Sequence, residues 1–376
     1  MNNIFISHIT QCICQPLLLV CILLILTDCV HPQTPRGPGI SSCSYSCFRK
    51  SYCGFEEIAV SDIPVECTSL NYVGAFVDEY YGVGPGNSGT DYTLLDTLLR
   101  SNKDVFLYYG RELVEIWAEM FANGCAEANS LKEMKGLHTF LDQHKGIDGL
   151  ILTGLQYTCY TKKEVPQFTD NFKIYLGVLK KSYPDMIIGM DLYASHIINQ
   201  HTNAKFKNWL DISIIDKDID FYAISLEYFN SCTADLINTG TTPMSGTSAY
   251  NTLDKLKDAL KSSGIPKEKI YFKFITNPQS PYNNLTICQV NNEMMCAQPV
   301  NAKDWCSDTI LSFNEKGKYA KDNGAGFIAR YIDFEDKINN TCECENTYYA
   351  FNALLDGFNC VTSSSCNLFD NIVVIP

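Results

Sequence analysis

From about residue 69 onward, short runs apolar on both faces alternate with longer segments whose apolar positions recur at helical spacing. Residues 71–77 (NYVGAFV), 104–109 (DVFLYY), 149–153 (GLILT), 186–192 (MIIGMDL), 221–226 (FYAISL), 269–275 (KIYFKFI) and 326–332 (GFIARYI) read as strands buried on both sides, the pattern of a parallel sheet. Residues 44–48 supply a candidate first strand.

Amphipathic stripes lie between these runs. Leu113, Ile116, Trp117, Met120 and Phe121 share one face. Leu131, Met134, Leu137, Phe140 and Leu141 form a second stripe, and Phe168, Phe172, Tyr175, Leu176 and Leu179 a third. Leu253, Leu256 and Leu260 form another, stopped by Gly264-Ile265-Pro266. A further helix is expected over residues 305–319. These stripes read as core faces.

Strands each followed by a helix, repeating every ~30–45 residues, predict an α/β fold, a (β/α)₈ TIM barrel. A doubly wound open sheet gives the same alternation, but a count of eight strands favours the barrel. Gly82-Val83-Gly84-Pro85-Gly86 is not a dinucleotide loop, because Pro85 and Gly86 break the required pattern and no helix follows at once.

The first thirty residues differ from the rest. Leu17 to Leu26 is an apolar run, too short for the roughly 20 residues of a membrane span. Followed by a Pro/Gly-rich stretch, it predicts a secretory signal over residues 1–30; an uncleaved anchor is the alternative reading. Residues 31–42 then form a linker, 43–360 the barrel and 361–376 a C-terminal tail. Cysteine usage points the same way. Of 18 cysteines, four lie in the leader, and the other fourteen allow up to seven disulfides in an exported chain. The sequons at Asn284 and Asn339 are usable only after export. No CxxC pair or HxxxH spacing suggests a metal site, and no cofactor is expected. A net charge of −13 argues against nucleic acid as a partner.

The order of local signatures resembles the family-18 glycoside hydrolases, the chitinases and chitinase-like lectins, over about residues 43–358. Cys67-Thr68-Ser69-Leu70 resembles the family's Cys-Thr-His before the second strand, and implies a disulfide from Cys67 to Cys43 or Cys47. Residues 104–110 resemble K-V-L-L-S-I-G-G, with Gly110 kept and Arg111 in place of the second glycine. Cys342 or Cys344 and residues 348–355 resemble the closing Cys and Y-P-L-L-N segment; Cys360 is a further disulfide candidate.

The fourth strand of the family carries D-G-x-D-x-D-x-E. Here Asp148 and Gly149 match, but Ile151, Thr153 and Leu155 stand at the second Asp, the third Asp and the Glu. Family members protonate the glycosidic oxygen with that Glu, while the neighbouring Asp orients the substrate's own acetamido group as nucleophile, an exception to the two-carboxylate rule. Leu155 has no proton to give and Thr153 no charge to offer, so the resemblance implies a pseudoenzyme. Other departures agree. The M-x-Y-D of the sixth strand is replaced around Glu227-Tyr228, and no Trp closes the eighth strand. The α+β insertion before that strand looks absent, or reduced to a loop around Cys288 and Cys296.

The candidate glycan contacts are Tyr109, Tyr157, Asp191, Glu227, Tyr228 and Tyr331, at or just past strand ends, with Tyr81 and Tyr193 beside them. Asp191 and Glu227 are either a relocated catalytic pair or rim charges bridged to Arg111 or Arg330. Asp148 is either a remnant of the site or a strand cap. The expected function is a secreted, non-hydrolysing chitinase-like protein that binds chitin or a related N-acetylglucosamine glycan. The alternatives are an extracellular interaction or growth-factor-like protein without carbohydrate binding, and a glycosidase with relocated carboxylates. Possible partners are therefore N-acetylglucosamine oligomers or an extracellular protein, with no membrane contact after signal cleavage.

Overall fold

The chain divides into two compact units, Met1–Arg36 and Gly37–Pro376. The computed structural model describes residues 36–46, 53, 58–84, 92–155, 167–202, 210–237, 239–279, 292–297, 305–335 and 340–366. The expected signal segment, Cys47, Tyr157, Cys288, Asn284 and Asn339 lie outside the described residues.

In the second unit, β1 (Ser41–Tyr45) runs parallel to β2 (Ser69–Val77). A short antiparallel strand, β3 (Val83–Gly84), folds back on β2. Parallel pairing then continues through β4 (Asp104–Gly110), β5 (Gly149–Thr153), β6 (Ile187–Tyr193), β7 (Phe221–Ser225), β8 (Ile270–Ile275) and β9 (Gly326–Arg330). β9 pairs back onto β1, so the eight parallel strands close into a barrel. The first strand begins at Ser41 rather than at residue 44, because Ser41–Ser44 pair with Phe327–Arg330. That places the start of the barrel inside the expected linker.

Outside the strands stand α1 (Tyr92–Leu99), α2 (Val114–Met120), α3 (Ala126–Gln143), α4 (Phe168–Ser182), α5 (Ala194–Thr202), α6 (Leu253–Ser262), α7 (Ile310–Asn323) and α8 (Tyr349–Phe358). The α4 and α6 stripes are buried as expected. In α2 and α3 most of the expected face is buried, with Trp117, Met120, Phe121, Met134, Leu137 and Phe140 inside. Leu113, Ile116 and Leu131 are exposed, while Val114 and Glu133 take inward positions. α7 starts at Ile310 and not at 305, because Thr309 caps it, its Oγ1 accepting from the Ser312 amide at 3.0 Å.

Alternate residues of each strand face the barrel axis. Phe106, Tyr108, Ile151, Phe221, Ala223, Tyr271 and Ile328 form this inner core, separate from the larger strand–helix core. Phe106 and Tyr271 meet the Phe221 ring edge-on at 5.6 and 5.5 Å. Gly149 makes room for them: a Cβ there would lie 2.5 Å from the Phe106 ring. Among the described residues, the β8–β9 connection holds a short helix (Asn292–Ala297), a single bridge between Gln279 and Cys306, and α7.

Disulfides tie the connections down. They join Cys43 to Cys67, Cys232 to Cys306, Cys296 to Cys342, and Cys344 to Cys366. Cys53 is disulfide-bonded as well. Of the two partners open to Cys67, Cys43 is the one used. Cys360 corrects the expectation made for it. It sits just past α8 as an exposed thiol, 3.3 Å from the Lys321 amine, and it is Cys366 that bonds Cys344. Residues 361–366 are thereby held to the barrel, with the Val361 carbonyl accepting from Asn314. Among the described residues no helix is long and apolar enough to cross a membrane.

Candidate functional site

The C-terminal ends of the strands form the barrel mouth, where barrel active sites sit. The motif on β5 passes through it in three steps. Asp148 precedes the strand at the opposite, N-terminal edge. Its Oδ2 accepts from the Val105 amide at 2.8 Å, its own amide donates to the Val105 carbonyl, and its carbonyl accepts from Ile187. Asp220 does the same before β7, with its Oδ2 accepting from the Ile188 amide at 2.8 Å. Asp148 is thus a strand cap, remote from the mouth, and partial burial raises its pKa. Ile151 is sealed inside the inner core. Thr153, partly exposed, ends the strand, and its carbonyl accepts from the Trp117 indole at 3.0 Å. Gly154 turns the chain with φ +73°, and Leu155 is completely buried in the larger core.

Two carboxylates do face the mouth, each matched to a cation. Asp191 on β6 lies 2.6 Å from the Lys273 amine on β8, and both side chains are almost wholly buried. Glu227, just past β7, pairs with Arg330 at the end of β9. The Lys273 amine also sits 4.8 Å from the centre of the Tyr108 ring. Burial is the largest single influence and would lower the Lys273 pKa, but Asp191, Tyr108 and Tyr193 together outweigh it, so the pKa is raised and the amine is held charged. Burial pushes the Tyr108 hydroxyl up to about 12. Four opposite charges and a neutral phenol therefore fill the centre of the mouth. Of the two readings for this acid pair, the ion-paired one describes the geometry. The bridging partner is Arg330 for Glu227 and Lys273 for Asp191; Arg111 serves neither.

The tyrosines separate. Tyr228 is 79% exposed, and its ring meets the half-buried Tyr193 edge-on at 6.3 Å. These two present aromatic surface at the rim. Tyr331 is buried, with the Arg330 guanidinium 4.3 Å above its ring and donating to its hydroxyl; the peptide between them is cis. Tyr109 does not reach the mouth at all. It points into the strand–helix layer, fully buried, with its hydroxyl donating to Glu133 at 2.7 Å. The alternation of β4 requires this, since Tyr108 takes the inward position.

Glu133 escaped the sequence reading. Its carboxylate, completely buried in α3, accepts from Tyr109, Tyr175 and Arg111. Burial raises its pKa against the opposing effect of Arg111. The available signal was an acid at an inward position of an apolar stripe, close in space to the Arg that replaces a glycine. Asp333 is a second such residue, fully buried and accepting from the Ser46 amide and hydroxyl at 2.9 and 2.6 Å. Among the described residues no group of three or more His, Cys, Asp or Glu is placed to hold a metal.

The fold and its mouth define a closed (β/α)₈ barrel of the kind found in chitinase catalytic domains. The chain resembles catalytic domain 2 of an Ostrinia furnacalis Group II chitinase (TM-score 0.63, 14% identity, 88% of this chain and 98% of that one). It resembles an immunomodulatory active chitinase of Trichuris suis, TsES1, equally well (TM-score 0.63, 14% identity, 85% and 100%). Human YKL-39, described as a pseudo-chitinase with retained chitooligosaccharide binding, is similar at TM-score 0.62 and 15% identity over 85% and 100%. No protein-family model and no curated protein sequence matches the chain. At such identities the likeness is one of fold, and the site must be judged from its own residues.

Proposed function

We propose that this protein is an exported, chitinase-like barrel that binds chitin or a related N-acetylglucosamine oligomer at its mouth and does not hydrolyse it. One observation carries the reading. The three motif positions that would hold acids are Ile151, Thr153 and Leu155, and the mouth carboxylates Asp191 and Glu227 are each bound to a cation. A glycosidase needs a carboxylic acid beside the glycosidic oxygen, and losing general acid catalysis alone costs roughly 10²–10⁴ in rate. Losing the negative charge that supports the developing cation removes a further large contribution. Ion pairing also disfavours Asp191 and Glu227 as relocated catalysts, since each carboxylate is already occupied by a cation, Lys273 or Arg330. Retained binding is supported by the Tyr193–Tyr228 pair at the rim, whose ring faces suit the apolar side of a pyranose. Export is supported by the disulfides and the apolar leader.

The burial of Tyr109 and Tyr331, together with the ion pairs in the mouth, favours a second reading: an extracellular interaction protein that has lost carbohydrate binding. Hydrolysis is tested by incubating the disulfide-intact protein with N-acetylglucosamine oligomers and measuring new reducing ends. The expected release equals that of a heat-killed control. Release well above that control would overturn the inactive assignment.

A further inference from the structure

At the N-terminal edge of the barrel, on the face away from the mouth, the connection into β8 passes between the C-terminal ends of α6 and α7. A cleft of about 200 Å³ opens there, with Leu260, Ile265 and Ile270 among its lining residues. All three are buried aliphatic side chains that leave an apolar floor. Lys257, Lys261 and Lys267 also line it, as do Asp322 and Asn323. Three ammonium groups around one small cleft are unexpected in a chain of net charge −13.

These lysines are not tied up in the fold. Lys261 pairs with Asp258 at 2.8 Å, but the two side chains are 66% and 65% exposed, so the pair is weak and readily exchanged. Lys257 and Lys267 are exposed and have no ion pair among the described residues. By contrast Lys269, two residues on, is committed to the Asp216 and Ile219 carbonyls. The C-terminal ends of α6 and α7 account for some positive charge nearby. They do not account for an aliphatic floor beneath it, with a carboxylate and an amide at one side.

We propose that this cleft binds a monosaccharide-sized ligand carrying an anionic ester, a sulfate or a phosphate. The ester would lie among the Lys257, Lys261 and Lys267 amines as charge-assisted hydrogen bonds. The carbon face of the ring would cover Leu260, Ile265 and Ile270, and ring hydroxyls would meet Asp322 and Asn323. The volume suits a single sugar unit. The site is independent of the reading given to the mouth and stands whether or not the mouth holds glycan.

The test is calorimetric titration of the full disulfide-bonded protein with N-acetylglucosamine 6-sulfate, N-acetylglucosamine 6-phosphate, unsubstituted N-acetylglucosamine and inorganic sulfate. Saturable binding is expected for at least one ester, and which ester binds more tightly identifies the source. In Lys257→Ala/Lys267→Ala that affinity should fall about tenfold or more. Lys173→Ala, at an exposed lysine of α4 outside the cleft, should leave it unchanged. All the substituted side chains are exposed, so the variants should fold, and their circular dichroism should match that of the parent. Four results would overturn the proposal: no binding of either ester, neutral-sugar binding as tight as the ester's that also falls in the lysine variant, equal binding of inorganic sulfate, or full ester affinity in the lysine variant.

Discussion

Leu155 is the residue on which the inactive assignment turns. It lies where a proton donor would stand, yet it is fully buried among apolar neighbours after a left-handed turn at Gly154. Restoring an acid there does not rebuild a site, because Ile151 and Thr153 still lack charge. Leu155→Glu should therefore show no chitin-oligomer cleavage above control. The burial of an unpaired carboxylate should also lower its stability. Turnover by this single variant, measured as reducing ends, would show that the rest of the mouth is catalytically competent. Glu335 supplies a different residue-scale prediction. Its carboxyl is completely buried, caps the start of α8 through the Ala350 and Phe351 amides, and is pushed by burial up to about 8 from an ordinary 4.5. A folded-state pKa above the unfolded one means that folding takes up a proton. The stabilisation is full below about pH 4.5, fades as pH rises and is gone above about 8. Glu335→Gln mimics the protonated form and should lose this part of the slope, on the order of 5 kcal/mol between pH 4.5 and 8. Urea unfolding at several pH values checks it, and identical slopes for parent and variant would refute it.

The elements explain why some of this was legible and some was not. The strands could be read because buried parallel strands are short and apolar on both faces, and each expected run overlaps an observed strand. The α4 and α6 stripes were equally plain. The α2 and α3 faces were misread only at their edges, at Leu113, Ile116 and Leu131, and the inward Glu133 was missed because it is buried as a pair with Arg111. Arg111 follows β4 and Glu133 belongs to α3, and an apolar count cannot see that they neutralise each other. The same blindness put Tyr109 at the rim, since strand alternation was not carried to the last turn of β4. The Arg111–Glu133–Tyr109–Tyr175 network joins β4, α3 and α4. Glu133→Ala should destabilise the fold by about 3–5 kcal/mol, because it leaves Arg111 buried without its counter-charge. Chemical denaturation measures this directly, and a loss below about 1 kcal/mol would mean that the network is slack. Disulfide pairing was not legible beyond the choice of Cys43 or Cys47 for Cys67, since many connectivities fit one set of cysteines.

At the scale of the whole molecule, the same barrel supports opposite outcomes. Its framework residues keep their roles: Asp148 caps strands and Gly149 clears space for Phe106. The mouth, in contrast, holds two internal ion pairs and, at its rim, the Tyr193–Tyr228 pair. Framework and chemistry sit at opposite ends of the strands, so one can be retained while the other is lost. The degenerate motif could be read from residues 148–155 alone, but the counter-charges at Lys273 and Arg330 could not, because they come from strands far along the chain. Isothermal titration of the disulfide-intact protein with an N-acetylglucosamine hexamer tests the central claim most directly. A bound, uncleaved oligomer gives heat that saturates, with the signal returning to baseline after every injection, and that is the result expected here. Sustained heat flow after each injection would reveal turnover, and heats of dilution alone would show that the mouth holds no such glycan; either would contradict the account.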